Sequence, residues 1–353
     1  PHAGHEAVQA ARSQVFRVQE EEVLEEMRFL LSRYDRVNTF IMDDDLFTQN
    51  VEHAVAFCDA YIKSGIGVPF VVNAHVQKFD SEMAAALSKA GCLIVKYGLE
   101  SGSDEVRRNV LWRYMTNKKI EDSFAAAHEH DLHTSAFVMF GLPHETREQI
   151  METIQLCARI KMGRFRWAIF FPFPGTAGYR ISEEDDLIDH EKARGLGNYF
   201  DGSCLKFGAE HDLFIDKLGV CFHWWINAET DWPSAPIYRD LVTELEGLDR
   251  DGFEAIRADL HRRDHEISER LLKQGLSEEL LSTTEQQAEV SPPPAPAAPP
   301  SSRVPGERTP GQCGRKCVGA LLDHNALVQR YRVRSEFEKT ETPQKNVRTI
   351  RPV

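Results

Sequence analysis

The sequence has 353 residues and a formal net charge of -13, an acidic balance that argues against a general nucleic-acid-binding protein. Hydrophobic residues make up 42% of the chain and charged residues 27%, which is typical of a soluble globular protein. No apolar run approaches the roughly 20 residues that a membrane helix needs, and no signal peptide is visible, so the sequence predicts a cytoplasmic protein without membrane association.

The first elements in chain order are a helix, a strand and a second helix. Residues 20–34 carry apolar residues at helical spacing. VNTFIM, residues 37–42, predicts a buried strand that ends at three consecutive acids, residues 43–45. The helix that follows, residues 50–65, ends at a glycine, as helices commonly do.

The same alternation continues with four further strands. They are VPFVVNAH, CLIVKYGLE, HTSAFVMFGLP and FRWAIFFPFPGT, which begin at residues 68, 92, 133 and 165. Helical segments separate them, and the strand ends recur about every 30 residues, the size of one strand–helix unit. This alternation predicts a parallel sheet with right-handed crossovers. The strands are apolar almost throughout, as expected when both faces are covered.

A barrel or partial barrel fits these elements better than a doubly wound sheet. Polar residues follow every strand, which is where a barrel builds its site, and no G-x-G-x-x-G turn follows any strand. Residues 183–232 are aromatic and irregular, and we expect them to cap the barrel. Residues 234–283 predict a long helix pair. The predicted fold class is therefore α/β, a partial (β/α) barrel with a mixed, largely helical C-terminal extension.

Composition divides the chain into four parts. They are the barrel at residues 1–205, a helical and aromatic extension at 206–289, a Pro-rich linker at 290–310, and a basic tail, predicted to be disordered, at 311–353. The seven cysteines are mostly scattered in apolar surroundings, which indicates reduced core cysteines and no disulfide framework. The one close pair, Cys313 and Cys317, lies in the tail and supplies only two thiolates.

In order, the strand ends resemble those of the radical S-adenosylmethionine (SAM) superfamily. The similar segments are DDDLFT, VNAH, YGLESGSDEVRRNVLWRYMT, FVMFGLPHETREQI and FFPFPGT, which begin at residues 43, 72, 97, 137 and 170. The resemblance covers roughly residues 15–205. It is to the group whose members carry an N-terminal cobalamin-binding domain. The order of GLESGS, VLWRYMT and GLPHET is its most specific part.

The resemblance implies a partial six-unit barrel that holds a 4Fe-4S cluster. In this family three cysteines in C-x-x-x-C-x-x-C bind the cluster, SAM binds the fourth iron, and reduction of SAM gives a radical that takes hydrogen from the substrate. Cobalamin-dependent members often transfer a methyl group next. The implied cofactors are SAM, the cluster and cobalamin, and the implied partner is a small-molecule substrate that the sequence does not identify.

One departure from the family bears on activity. The chain contains no C-x-x-x-C-x-x-C, and the resemblance implies that the cluster loop, the first strand and a cobalamin domain would lie before Pro1. We therefore expect weak SAM binding and no radical chemistry from this chain. We also expect the strand at residues 37–42 to be an exposed sheet edge unless another chain covers it.

The resemblance gives roles to the residues after the first and third of these strands. Asp44 and Asp45 are expected to accept a hydrogen bond from the SAM amino group, because an ammonium-type donor favours a charged acceptor. Helix capping is the structural alternative for both. Glu100 and Ser101 are expected to bind the ribose, where Gly98 lets the backbone approach the ligand.

Three arginines compete for the SAM carboxylate in this resemblance. Arg113 is the candidate, and Arg107 and Arg108 are its rivals. At least two of the three are expected to be ordinary surface charges.

The remaining candidates follow the other three strands. Gly141 and Phe173 are expected to lie beside the adenine. Asn73 and His75 are expected to contact the substrate, although a lone histidine is more often structural. No catalytic residue is assigned.

Two other functions are kept open by the sequence. A chain without cluster cysteines could be a non-catalytic remnant of the barrel that binds a partner. It could also be an ordinary barrel enzyme that uses Asp45 or Glu100 as acid–base groups without iron.

Overall fold

The computed structural model describes residues 20–34, 36–195, 202–274 and 348–350, the last as backbone. The linker predicted at residues 290–310, the cysteine pair of the tail and most of that tail lie outside the described residues.

Within the described residues the chain forms six strands and twelve helices. The strands are β1 (Phe40–Met42), β2 (Phe70–Ala74), β3 (Cys92–Glu100), β4 (His133–Phe140), β5 (Arg164–Ile169) and β6 (Arg348–Ile350). The helices up to β5 are α1 (Glu20–Arg33), α2 (Val51–Ser64), α3 (Ser81–Lys89), α4 (Asp104–Asn109), α5 (Asn117–Glu129) and α6 (Arg147–Arg159). The helices after β5 are α7 (Ala177–Glu184), α8 (His190–Gly195), α9 (Ala209–Glu229), α10 (Ala235–Glu246), α11 (Arg250–Arg257) and α12 (Leu260–Lys273).

The strands form one open parallel sheet in the order β5-β4-β3-β2-β1-β6. Every neighbouring pair is parallel. The predicted α/β partial barrel with a largely helical C-terminal part is therefore confirmed. Because each crossover between β1 and β5 contains a helix, the carboxyl ends of these five strands meet at one edge of the sheet.

The two faces of the sheet differ in character. On β3, Val95, Tyr97 and Leu99 belong to the main hydrophobic core, which the helices complete. Their neighbours in the strand point to the opposite face, where Lys96 and Gly98 lie. The helices therefore cover one apolar face, while the other face carries charged groups.

The expectation of an exposed edge at the first strand is wrong within the described residues. Arg348–Ile350 pairs with β1 in parallel, with Phe40 opposite Arg348 and Met42 opposite Ile350. The outer edge of β1 is thus paired with a strand that lies about 300 residues further along the chain. These three residues also depart from the prediction of a disordered tail. Sequence patterns do not reveal this pairing, because it joins segments about 300 residues apart.

The aromatic segment predicted to be irregular is largely helical. Helix α9 runs through FHWWINAE, with non-helical backbone angles at Cys221 (φ -126°, ψ 32°). Trp224 and Trp225 are buried in the main core. Residues 221–228 of this helix are all buried, so its second half lacks the alternation of apolar and polar faces that marks a surface helix. The predicted long helix pair that follows is instead three helices, α10 to α12.

No helix among the described residues combines the length and the apolar character that crossing a membrane requires. The five described cysteines are free and buried, as predicted for reduced core cysteines. The cytoplasmic location stays a prediction.

A buried charged network joins α9 to α12. The carboxylate of Asp264 accepts hydrogen bonds from His223 Nε2 (2.6 Å) and Trp224 Nε1 (2.7 Å). Burial works to raise the pKa of Asp264, but the charge and hydrogen bonds of His223 and the bond from Trp224 hold it below its usual value. Loss of this carboxylate would leave two buried donors without an acceptor.

We expect Asp264→Ala to lower the free energy of unfolding by about 3 kcal/mol, because it leaves two buried hydrogen-bond donors without an acceptor. Urea denaturation measures the change. Glu266→Ala on the same helix is the control, because Glu266 pairs with Arg262 at the surface. This substitution should lower the free energy of unfolding by less than about 0.5 kcal/mol. Equal losses in the two variants would contradict the role given to Asp264.

Candidate functional site

The polar residues after β1 and β2 are brought together at the sheet edge. Asn73 Nδ2 donates to the carbonyl oxygen of Asp44 (2.8 Å), and Asp44 Oδ1 accepts from the Leu46 amide (2.9 Å). The side chains of Asp44 and Asp45 are exposed. Neither caps the next helix, because Asn50 is the N-cap of α2. The acids remain open to a ligand, and their contact with SAM stays a prediction.

His75 is fixed by its own turn. Its Nδ1 accepts from the Gln77 amide (3.2 Å), and its amide donates to Thr48 Oγ1 (3.2 Å). Burial lowers the pKa of His75, and the charges of Arg113 and Lys78 lower it further. A neutral imidazole with Nδ1 as the acceptor leaves Nε2 as its donor. Because the charge of Arg113 lowers the pKa of His75, the two side chains lie near each other, where β2 and β3 end.

Glu100, Arg113 and Gly98 form the centre of the site. Arg113 Nη1 lies 3.5 Å from Glu100 Oε1, and Arg113 Nη2 donates to the carbonyl oxygen of Gly98 (2.8 Å). A Cβ on Gly98 would lie 2.7 Å from Glu100 Oε1 and 3.2 Å from Arg113 Nη2. Glycine is needed here because the two charged groups occupy the space that a side chain would fill.

The backbone aims the Glu100 carboxylate. The register of β3 against β4 shifts between Gly98 and Glu100, and Glu100 has φ +65°. A register shift of this kind re-aims a side chain, and a non-glycine residue at positive φ stores strain of the sort found at functional sites. Burial raises the pKa of Glu100, and the charge of Arg113 partly offsets this rise.

Ser101 and Gly102 tie the turn after β3 to α6. The Gly102 amide donates to Thr153 Oγ1 (2.7 Å), and the Ser101 hydroxyl lies 3.3 Å from the same oxygen. Ser101 is fully buried, and its Oγ also accepts from the Ser103 amide (3.2 Å). The hydroxyl is thus engaged in structure, and a role for Ser101 towards a ligand stays a prediction.

The expectation that at least two of the three arginines are ordinary surface charges is wrong, because Arg107 is buried and Arg113 pairs with Glu100. Arg107 is fully buried and donates to the carbonyl oxygens of Ser101 (2.7 Å) and Met115 (3.3 Å). It also donates to Asn117 Oδ1 (2.6 Å). Arg107 therefore holds the turn after β3 against the loop that carries Arg113. Arg108 is the surface charge, in an exposed pair with Asp104.

Arg113 lies outside the helix that follows β3. Helix α4 ends at Asn109, and Arg113 lies in the loop that leads to α5. The Arg113 amide donates to the carbonyl oxygen of Arg107 (2.8 Å). The loop folds back towards β3, which is why Arg113 can reach Gly98.

The turn after β4 is built on a buried acid. Gly141 has φ +72°, and Glu145 Oε2 accepts from the Leu142 amide (3.1 Å). Glu145 Oε1 is buried without a hydrogen-bond partner. Burial raises the pKa of Glu145 to about 8, although hydrogen bonds from the backbone of Leu142 and Gly141 work to lower it. The buried carboxyl of Glu145 therefore supports the turn after β4.

Phe173 lies beyond the end of β5 and is 52% exposed. Its ring centroid is 5.0 Å from that of Phe171. Trp112 and Tyr114 are also exposed. The adenine contacts predicted for Phe173 and Gly141 stay predictions.

The structure brings four of the predicted residues into one group, namely Gly98, Glu100, Arg113 and His75, and joins Asp44 to Asn73 beside them. Sequence reasoning missed Thr153 and the buried role of Arg107. It also passed over Lys96, although a lysine inside the apolar run CLIVKYGLE was a visible signal.

No metal centre is assembled from the described residues. No group of three histidine, cysteine or acidic side chains in that part of the chain is placed to hold a metal ion. The described cysteines are each buried in the core, and burial raises the pKa of Cys58 to about 12. Such thiols are poor ligands, because metals bind the thiolate. The described residues therefore do not fit a 4Fe-4S cluster.

The sequence of this chain is similar to those of several known proteins. The sequence model of the Radical SAM superfamily matches residues 5–157. An uncharacterized methyltransferase of Pyrococcus horikoshii is 26% identical over 168 residues, which cover 48% of this chain and 36% of that protein. The anaerobic magnesium-protoporphyrin IX monomethyl ester cyclase of Rubrivivax gelatinosus is 24% identical over 173 residues, 48% of this chain and 31% of the cyclase. The chain thus spans about a third of the length of these relatives.

A solved structure gives a weaker likeness. The radical SAM methyltransferase TsrM from Kitasatospora setae superposes with a TM-score of 0.42 at 19% identity. The superposition covers 48% of this chain and 34% of TsrM.

We expect Gly102→Ala to destabilise the protein by about 2 kcal/mol, because the new Cβ would lie 2.4 Å from Thr153 Cα. Helix backbone cannot rotate away as a side chain can. Thermal unfolding measures the loss. Gly195→Ala is the control, since no atom lies within 4 Å of the added Cβ there. An unchanged melting temperature for Gly102→Ala would show that α6 does not approach the turn so closely.

We expect the stability difference between wild type and Glu145→Gln to depend on pH. A carboxyl whose pKa is raised from 4.5 to about 8 stabilises the fold below pH 4.5, and that contribution is lost as pH rises through 8. Glutamine does not ionise. The free energy of unfolding of the variant should therefore rise relative to that of the wild type by about 1 kcal/mol per pH unit between pH 5 and 8.

Urea denaturation at several pH values measures this gain. The control is Glu152→Gln at an exposed position on α6. A constant difference between wild type and Glu145→Gln across this range would mean that Glu145 titrates normally.

Proposed function

This chain carries a radical SAM domain, matched over residues 5–157, and from that premise we propose that the carboxyl edge of its sheet binds SAM. The observation that carries the proposal is the group of Glu100, Arg113 and Gly98. It supplies a carboxylate and a guanidinium in a space kept open by a glycine. A zwitterionic nucleoside such as SAM needs both an anionic and a cationic partner.

The state of the two charged groups supports a ligand between them. Arg113 Nε is buried and has no hydrogen-bond partner. Buried polar groups are normally satisfied, so an orphaned donor at a sheet edge marks an incomplete site. The Glu100 and Arg113 side chains are 20% and 29% exposed, so both can be reached by a ligand. The residues present therefore fit SAM.

The roles proposed for the individual residues follow from their chemistry. The Glu100 carboxylate has two oxygens that can accept from the two hydroxyls of the ribose. Arg113 would bind the SAM carboxylate through its planar guanidinium. The exposed Asp44 and Asp45 would accept from the SAM amino group, and the backbone at Gly141 would lie beside the adenine.

Radical chemistry needs more than these residues. A 4Fe-4S cluster, if one were bound, would supply the electron that radical chemistry with SAM requires. The 353 residues contain no C-x-x-x-C-x-x-C, so we assign no chemical step to this chain and propose that it binds SAM without cleaving it.

For a protein that combines this domain with a cluster, we propose methyl transfer to a small-molecule substrate, because the Pyrococcus relative is named a methyltransferase. A cobalamin requirement stays a prediction. The raised pKa of Glu100 is one observation in favour of the iron-independent acid–base enzyme, but Arg113 pairs with this carboxylate and favours its charged form. The remnant without SAM affinity has no supporting observation among the described residues.

We expect Glu100→Gln to weaken SAM binding about tenfold or more, because a charge-assisted acceptor is replaced by a neutral one. Isothermal titration calorimetry with SAM measures the dissociation constant. The wild type should also lose affinity on acidification at a higher pH than an ordinary glutamate would cause, since burial raises the pKa of Glu100.

The matched control is Glu82→Gln, which removes an exposed carboxylate on α3. It should bind SAM as the wild type does. Equal SAM affinity in wild type and Glu100→Gln, or no SAM binding by the wild type at all, would refute the proposed function.

A further inference from the structure

His75 lies beside Gly98 at the end of β2. The register of β2 against β3 sets Ala74 opposite Tyr97. The backbone of His75 is still extended, with φ -104° and ψ 127°, so the next step of this register brings His75 level with Gly98. Neighbouring strands are about 4.8 Å apart, and residues that lie opposite each other project from the same face. The imidazole therefore projects from the face on which Gly98 carries no side chain.

The space above Gly98 also contains the charged pair of the candidate site. A Cβ on Gly98 would lie 2.7 Å from Glu100 Oε1 and 3.2 Å from Arg113 Nη2. Both charged groups thus lie on the face from which the His75 side chain projects. Burial, and after it the charge of Arg113, lowers the pKa of His75, which agrees with this proximity. A carboxylate, a guanidinium and an imidazole therefore share one small space.

The imidazole of His75 has one donor that the fold does not use. Nδ1 accepts from the Gln77 amide (3.2 Å), so the neutral ring carries its hydrogen on Nε2. In the part of the chain that the structure describes, no acceptor is hydrogen-bonded to His75 Nε2. This N–H group is therefore available to a ligand that enters the space above Gly98.

Arg113 uses much of its guanidinium within the protein. Nη2 donates to the carbonyl oxygen of Gly98 (2.8 Å), and Nη1 lies 3.5 Å from Glu100 Oε1. Nε is buried without a partner. A ligand carboxylate that accepts from Nε still has a second oxygen with free lone pairs, so it favours a further donor beside Arg113.

The amino group of SAM limits where its carboxylate can lie, because both groups are bonded to the same carbon. Asp44 and Asp45, proposed to accept from the amino group, follow β1, whereas Arg113 reaches the end of β3. Strand β2 lies between β1 and β3 in the sheet. His75, at the end of β2, is therefore placed between the proposed acceptors of the amino group and Arg113.

We propose that His75 Nε2–H donates to the carboxylate of SAM beside Arg113, and that this contact selects nucleosides that carry the carboxylate. The inference rests on the proposed function, since it assigns a further residue to the same ligand. It gives His75 a contact with SAM in place of the substrate contact that the sequence predicts. A neutral imidazole can donate to an anion without repelling Arg113, as a second cation would.

The test compares SAM with decarboxylated SAM, which lacks only the carboxylate, by isothermal titration calorimetry on the full chain. His75→Asn keeps an acceptor near the position of Nδ1 for the Gln77 amide, but it has no donor at the position of Nε2. We expect this variant to bind SAM about tenfold more weakly, the loss expected for one hydrogen bond to a charged group. Its affinity for decarboxylated SAM should equal that of the wild type.

Two further variants complete the set, and each is first compared with the wild type by circular dichroism. His75→Gln keeps a donor near the position of Nε2, so it should bind SAM more tightly than His75→Asn does. His265→Asn is the matched control, because His265 is exposed on α12 and pairs with Glu269. It should bind both ligands as the wild type does.

The outcomes separate this inference from the proposed function. If the wild type and His75→Asn bind SAM equally well, the inference is overturned and the proposed function stands. Equal losses of SAM and of decarboxylated SAM in His75→Asn would also overturn it, because His75 would then act on another part of the ligand or on the turn. A larger loss in His75→Gln than in His75→Asn would do the same, since that order follows the contact with Gln77. If the wild type does not bind SAM, the proposed function fails and this inference fails with it.

Discussion

The contact between α6 and the turn after β3 is the constraint on which the site depends. Gly102 meets the backbone of Thr153 so closely that a Cβ would lie 2.4 Å from Thr153 Cα. The threonine hydroxyl accepts from the Gly102 amide and donates to the carbonyl oxygen of Gln149. Because helix backbone is rigid, this contact fixes where β3 ends. The position of Glu100 follows, since it precedes Gly102 by only two residues.

Two arginines complete the candidate site around the turn after β3. Arg107 is buried and gathers carbonyl oxygens from the turn and from the loop beyond α4. It thereby positions the loop that carries Arg113, whose guanidinium reaches back to Gly98 and Glu100. A fully buried arginine is stable only when its donors are satisfied, and Arg107 donates to backbone carbonyls, to Asn117 and to Asp104. Arg113, by contrast, keeps one buried donor without a partner.

The two faces of the sheet carry different kinds of residue. Val95, Tyr97 and Leu99 pack under the helices, while Lys96 and Gly98 on the same strand face the other way. One strand thus supplies core, a basic side chain and the glycine of the proposed SAM site. This division follows from the two-residue period of a strand, which sends neighbouring side chains to opposite faces. It allows charged groups to be gathered without interrupting the core.

The sequence by itself determined the strand–helix alternation, the parallel sheet, the glycine and the carboxylate after β3, and the absence of the cluster motif. These are local patterns, set by hydrophobic period, turn residues and spacing. Only the tertiary structure decided that Arg107 is buried while Arg113 faces the site, that α9 is a helix, and that Arg348–Ile350 pairs with β1. Each depends on contacts between distant segments, which residue type and local period do not encode.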